Sequence, residues 1–285
     1  MPSTIDHAKA SLQSYSNYAD ENIPEGFQIL TGFGLDFESG YSGSAYINPD
    51  TKEIIITHRG TNDATDWISN IDIAKGNPKA LDDFMNSQIM KDANEFTSSI
   101  VNGVREAGSK YEGYSITQTG HSQGGLIASV QGALHKTPVE AFDPAANKAL
   151  LEHLENKGTI TSENLEFFKE NSVMHRSDGS FIDWRWNESD YLGHVNNIDV
   201  DGSHSMSDIL KHMEENNVNK FPPNGESSQT VDELATETKS NSIEDVEFNL
   251  DPIQDLINKF MQNVTPQGGG NSSPPPREAF MGIRG

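Results

Sequence analysis

The sequence predicts an α/β architecture: a mixed sheet flanked by helices, with an antiparallel hairpin near the N-terminus. Three observations predict it. Two strand-like runs, Ser42–Asn48 and Glu53–His58, are separated only by the turn residues Pro49-Asp50-Thr51-Lys52, the spacing of a hairpin. Beyond them, strand-like and helix-like segments alternate, as in chains that build parallel sheets covered by helices. Finally, Gly120-His121-Ser122-Gln123-Gly124 sits between a short strand-like run, 114–119, and a helix-like run of small and apolar residues, 125–134.

In order along the chain, His7–Tyr18 reads as a helix, and the hairpin follows. Residues 66–106 read as mainly helical. Within them Leu81, Phe84, Met85 and Ile89 form an apolar stripe at helical spacing. Such a stripe fits a lid over 77–94, and more often marks a helix packed on a sheet. Val139–Asp143 is a strand stopped by Pro144, and Ser172–Arg176 is another, ending in Ser177-Asp178-Gly179. A last helix begins near Ser205, where Ser205-Met-Ser-Asp208 has the pattern of a capping box. There is no internal repeat.

Composition divides the chain into a body, 1–220, and a tail, 221–285. The tail is acidic and rich in Pro, Ser and Gly, including Pro274-Pro275-Pro276. That composition buries too little apolar surface to offset chain entropy, so most of the tail is expected to be disordered. An island at 250–261 places Ile253, Leu256, Ile257, Phe260 and Met261 on one helical face.

The net charge is −23, from 20 basic and 43 acidic side chains. That argues against nucleic-acid binding and against electrostatic docking on an anionic membrane. Transient lipid contact would be local and apolar. With no cysteine, disulfides, thiolate catalysis and zinc–thiolate sites are excluded. No apolar run approaches the ~20 residues of a membrane span. The first ten residues lack an apolar signal core, so export without a cleavable signal is expected, with cytoplasmic residence the alternative.

G-x-S-x-G occurs by chance in roughly one chain in ten of this length; its strand-turn-helix setting makes it informative. The turn needs near-absent side chains on both sides of the serine and presents the hydroxyl at a helix N-terminus. A serine hydroxyl is a weak nucleophile and needs a base, oriented by a carboxylate. With the order Ser, acid, His, Asp178 is the first choice of acid, just past a later strand. Asp143 and Asp183 are the competitors; Asp143, on the very next strand, reads as too near Ser122. His204, ahead of the last helix, is the first choice of base among nine histidines, and His194 the second. The oxyanion donors are read as the N–H groups of Gln123 and of Thr61, in the loop after the most apolar strand.

These residues resemble a family. His58-Arg-Gly-Thr-Asn-Asp-Ala-Thr-Asp-Trp-Ile-Ser-Asn-Ile71 together with Gly120–Gly125 is similar to the signature pair of class 3 lipases. Gly32–Asp36, Tyr191–Ile198 and His204 extend the resemblance to bacterial extracellular phospholipases A1 of the enterobacterial type, over roughly 7–215. One departure is Phe142-Asp143-Pro144, where class 3 lipases usually carry Gly-Ser-Pro. The resemblance implies a lipase-like α/β-hydrolase fold and ester hydrolysis of lipids, phospholipid at sn-1 first. It implies Ser122 as nucleophile, Asp178 as acid, His204 as base and Thr61 with Gln123 at the oxyanion. It also implies export without a Sec signal. Triacylglycerol or a small ester is the alternative substrate. No cofactor or metal is needed by this chemistry, and nothing identifies an accessory or immunity partner. A silent, partner-binding fold is the alternative of another class; the intact Ser, His and Asp set argues against it.

Overall fold

The computed structural model describes residues 1–16, 22–31, 37, 39–60, 73, 75–180 and 185–218. The chain divides into two units, Met1–Asn241 and Ser242–Gly285, and all described residues belong to the first. The island at 250–261 and Asp183 lie outside the described residues.

A seven-stranded sheet organises the body, its strands lying side by side in the order in which they occur in the chain. Strands β1 (Gln28–Thr31), β2 (Gly43–Asn48) and β3 (Glu53–His58) run antiparallel. Strands β3, β4 (Ser115–His121), β5 (Val139–Phe142), β6 (Ser172–Ser177) and β7 (His194–Ile198) run parallel. This is the mixed, mostly parallel sheet that the sequence predicts, and the hairpin of β2 and β3 is its antiparallel part. β3 is buried along its whole length, Ile54, Ile55 and Ile56 included, as expected of a strand covered on both faces.

Helix α1 (Thr4–Gln13) starts earlier than expected and ends sooner. Ser3 and Asp6 form a capping box that fixes its start. Helices α2 (Pro78–Met85) and α3 (Gln88–Arg105) fill the helical stretch before β4, separated at the cap of α3, Ser87. Leu81 and Phe84 are buried and Met85 and Ile89 partly so, which makes the stripe a packing face. After β4 comes α4 (Gln123–His135), which packs on β3, β4 and β5. Helices α5 (Lys148–Asn156) and α6 (Ser162–Asn171) lead to β6. Helix α7 (Met206–Glu215) packs on α1. Ser205 is its N-cap residue, but the expected capping box does not form: Ser203 Oγ takes up the Asp208 carboxylate at 2.6 Å. None of the described helices is long and apolar enough to cross a membrane.

One layer of core lies between α1, α7 and the sheet, from Ala8, Phe142, Ile198, Met206, Ile209 and Met213. Polar groups buried in that layer tie α1 to the strands. His7 Nε2 lies 2.9 Å from Thr117 Oγ1, and Ser11 Oγ 2.8 Å from Thr119 Oγ1. His175 Nε2 donates to Glu140 Oε1 at 2.7 Å. His7 Nδ1 lies 2.8 Å from the Ser3 carbonyl and 2.9 Å from Glu140 Oε2. Both oxygens thus lie within hydrogen-bonding reach of the same ring nitrogen. Burial pushes the Glu140 carboxyl up, but His7 and His175 together outweigh it and bring it down to about 2.

Candidate active site

The parallel strands deliver their C-terminal ends to one edge, and the chemistry gathers there. β4 ends at His121, and Ser122 turns the chain into α4 with φ 59° and ψ −127°. A residue with a side chain is strained in that region, on the order of 1–3 kcal/mol. Packing holds the turn closed: a Cβ on Gly124 would lie 2.1 Å from the His58 carbonyl oxygen, and one on Gly120 2.4 Å from the Gly124 carbonyl carbon. Those distances are why both flanks of the serine are glycine. The Ser122 N–H donates to the Phe142 carbonyl at 3.1 Å, and its own carbonyl accepts from Gly125 N–H at 3.0 Å. The Gln123 N–H is the first of α4, with no carbonyl one turn earlier to receive it.

His204 faces the serine. The Ser122 hydroxyl donates to His204 Nε2 at 3.1 Å, and His204 Nδ1–H donates to Asp143 Oδ2 at 2.5 Å. Both bonds require the same tautomer, with the proton on Nδ1. Asp143 is fully buried, while the His204 side chain is 23% exposed. The carboxylate is therefore sheltered, and the imidazole keeps a solvent-accessible edge.

The carboxylate in this line is Asp143 and not Asp178, the sequence-based choice of acid. Strand register explains it. His121 pairs with Phe142 and Phe142 with His175, so Ser122 and Asp143 are the first residues past neighbouring strand ends. Closeness to the serine does not disqualify Asp143, because the imidazole bridges from above the sheet edge. The backbone of Asp143 turns at φ 41°, and three contacts hold it. Its N–H donates to the His175 carbonyl at 2.6 Å. Its Oδ1 accepts from Ser177 N–H at 3.0 Å and Ser180 Oγ at 3.4 Å. Asp178 comes off β6, one strand farther away, is exposed, and its N–H donates to the Ile198 carbonyl at 2.8 Å. The Phe-Asp-Pro departure from Gly-Ser-Pro was the usable signal: proline ends the strand and leaves an aspartate at its tip.

His194 opens β7 opposite Val173, at the N-terminal edge of the parallel strands. Its Nε2 lies 3.3 Å from the Glu170 carbonyl oxygen. It is on the wrong edge to serve Ser122. Thr61 lies outside the described residues, as does the block 62–71. Its neighbour Gly60 is described, and a Cβ there would lie 3.3 Å from Ser122 Cβ.

Two residues absent from the sequence-based set complete the surroundings. Tyr15, just past α1, and His121, the residue before the nucleophile, lie between Gly60 and His204. The His121 ring packs on the His204 ring, centroids 4.5 Å apart at 37°. Burial, reinforced by the nearby His204, pulls the His121 imidazole down to about 3. On the opposite face His58 is buried too, and burial brings it down to about 4. It accepts from the Tyr41 hydroxyl at 2.9 Å and donates to Gln118 Oε1 at 2.9 Å. Around the acid, the Tyr191 hydroxyl donates to the Pro144 carbonyl at 2.9 Å and Leu192 N–H to Asn147 Oδ1 at 2.8 Å. Among the described residues no group of His, Asp and Glu is placed to hold a metal ion.

Comparison with curated proteins gives no match. Among solved structures, the Lip2 lipase from Yarrowia lipolytica is similar at 15% identity and a TM-score of 0.42, over 70% of this chain and 77% of that one. A triacylglycerol lipase from Penicillium expansum is similar at 16% identity and a TM-score of 0.41, over 70% and 80%. A mono- and diacylglycerol lipase from Aspergillus oryzae is similar at 14% identity and a TM-score of 0.40, over 67% and 76%. A family model described as Lipase (class 3) matches residues 55–140. The matched stretch runs from within β3 through the nucleophile turn to the start of β5, so the chain is similar to class 3 lipases over the segment that carries Ser122.

Proposed function

We propose that the chain is a carboxylic ester hydrolase that cleaves acyl esters of lipids, with Ser122 as nucleophile, His204 as base and Asp143 as the orienting acid. The observation that carries this reading is the hydrogen-bonded line from the Ser122 hydroxyl through His204 to a buried carboxylate, on a strained strand-to-helix turn. The match of residues 55–140 to the class 3 lipase description supports the lipid ester.

Ser122 Oγ attacks the ester carbonyl carbon as His204 Nε2 takes the hydroxyl proton. Asp143 stabilises the imidazolium that forms. The carbonyl oxygen, now anionic, is received by the Gln123 N–H and, in this reading, the Thr61 N–H. As the C–O bond to the alcohol breaks, His204 protonates the departing alkoxide. Water then attacks the acyl-enzyme carbonyl as His204 takes one of its protons, and the fatty acid leaves as His204 passes that proton to the Ser122 oxygen. Loss of one oxyanion donor costs on the order of 10²–10³ in turnover.

For the substrate we propose the sn-1 ester of a phospholipid, resting on the similarity of Tyr191–Ile198 and the Gly60–Ile71 block to extracellular phospholipases A1. Export without a cleavable signal belongs to the same proposal. Triglyceride cleavage is the competing reading, favoured by the class 3 lipase description. A fluorophosphonate probe tests the reaction class: folded protein is expected to label at Ser122, and absence of labelling defeats the hydrolase reading in favour of a silent, partner-binding fold. A phospholipid with distinct sn-1 and sn-2 chains, run beside a triglyceride and read by mass spectrometry, tests the substrate. Release of the sn-2 chain first, or rapid triglyceride cleavage with an intact phospholipid, removes the A1 assignment.

A further inference from the structure

Between Gly60 and the His204 backbone runs a short chain of hydrogen bonds that the proposed triad does not use. The Gly60 N–H donates to Tyr15 Oη at 3.1 Å. The Tyr15 hydroxyl lies 2.9 Å from His121 Nδ1. His121 Nε2 lies 2.9 Å from the His204 carbonyl oxygen. A carbonyl accepts only, so His121 must carry its proton on Nε2. Its Nδ1 is then an acceptor and takes the Tyr15 proton. Tyr15, having spent that proton, accepts from Gly60. Each link fixes the direction of the next, and only one arrangement of protons satisfies all three.

We infer that Tyr15 and His121 are positioning residues for the hydrolase reaction: together they hold the His204 backbone and Gly60 in register with Ser122.

Several observations converge on this. His121 is the residue before the nucleophile, so its backbone moves with Ser122 while its side chain reaches the base. Its ring also packs on the His204 ring. The structure leaves no room for a side chain at Gly60, where a Cβ would lie 2.4 Å from Tyr15 Oη and 2.7 Å from the His121 carbonyl oxygen. The Gly60 backbone is thus pressed against the tyrosine that binds it. Burial keeps both groups in the neutral forms the chain needs, with His121 brought down to about 3 and Tyr15 pushed up to about 12. A neutral His121 also spares His204 a second positive charge at 4.5 Å when the imidazolium forms. Tyr15 comes from the end of α1, so the helix that covers the sheet also tunes the site.

This inference rests on the hydrolase reading, and its test separates the two. Turnover of p-nitrophenyl butyrate is measured per active site, the sites being counted by fluorophosphonate titration. Tyr15→Phe keeps the ring and removes the hydroxyl. It is expected to lower kcat 10- to 100-fold with KM within twofold, in line with the ~10²-fold cost of an ångström-scale misplacement. His121→Leu is expected to lose at least as much, and His121→Gln, which retains a donor toward the His204 carbonyl, to recover tenfold or more over leucine. Counting sites keeps the readout valid for a variant that folds poorly, because only folded, labelled molecules enter the rate. If Tyr15→Phe and His121→Leu both keep kcat per site within twofold of wild type, or raise KM alone, the inference is overturned while the hydrolase reading stands. If wild-type protein neither labels at Ser122 nor turns over the ester, both fall together.

Discussion

Replacing Asp143 by Asn distinguishes the observed site from the one the loop pattern suggested. The Asp143 Oδ1 accepts from Ser177 N–H and Ser180 Oγ, so an amide in its place keeps its oxygen there and turns its NH2 toward His204. His204 Nδ1 must then accept, its proton moves to Nε2, and Nε2 can no longer take the proton of Ser122. Two costs add. The carboxylate that faced the imidazolium is gone, worth about 4 kcal/mol for unit charges ~4 Å apart at an effective dielectric near 20, or about 10³-fold in rate. The wrong tautomer brings the total toward ~10⁴, the size seen when a triad acid becomes an amide. The assay is kcat on p-nitrophenyl butyrate per mole of folded protein, the folded fraction being read by circular dichroism. Asp178→Asn, at an exposed position off the next strand, is expected to stay within twofold of wild type. An Asp143→Asn enzyme within tenfold of wild type, beside an Asp178→Asn enzyme that has lost 10³, would refute the assignment.

Further outcomes follow from the same geometry. His204→Ala is expected to lower kcat per mole of folded protein by ~10⁴ or more, whereas His194→Ala, at the opposite sheet edge, keeps it within twofold; the reverse pattern would show the base to be misassigned. Gly124→Ala forces a Cβ to within 2.1 Å of the His58 carbonyl, a backbone clash expected to cost more than about 2 kcal/mol; urea unfolding within about 0.5 kcal/mol of wild type would contradict it. His58 and His121, brought down to about 4 and about 3, bind protons in the unfolded chain at higher pH than in the folded one. Unfolding therefore becomes easier as pH falls below about 6.5, by about 2 kcal/mol from each histidine at pH 5. Denaturation at pH 7 and pH 5 reads this, and a flat profile, or one that His58→Gln does not roughly halve, would exclude it.

Much of the fold was legible because its signals are local. Ile54, Ile55 and Ile56 beside a proline turn mark β3 and its hairpin, and the small residues of 123–135 mark a helix that must approach the sheet closely. Strand β7 was not legible: His194-Val195-Asn196-Asn197 is a polar run, and it becomes a strand only because β6 offers it a ladder. Helices α5 and α6 went unread between two stronger features. In the site, the meeting of Ser122 with His204 was legible from motif and order. The carboxylate that His204 meets was harder to read: Phe142-Asp143-Pro144 marked a strand-end aspartate, but weighing it against Asp178 depends on which strands are neighbours. Tyr15 was invisible for the same kind of reason, being 106 residues from its partner His121.

The base stands 82 residues beyond the nucleophile, and the two helices that close the layer above the sheet, α1 and α7, come from opposite ends of the body. The acid and the serine are joined by a single strand–helix–strand crossover and can form as a local unit. The base arrives only when α7 has docked on α1, one of the longest sequence separations in the body and so among the slowest contacts to make. A chain still emerging from synthesis, or one whose outer layer has opened while the sheet stays intact, holds a serine with no base and so a weak nucleophile. Reactivity would thus report completion of the fold: Ser122 acquires its histidine partner last, after the two ends of the body have met.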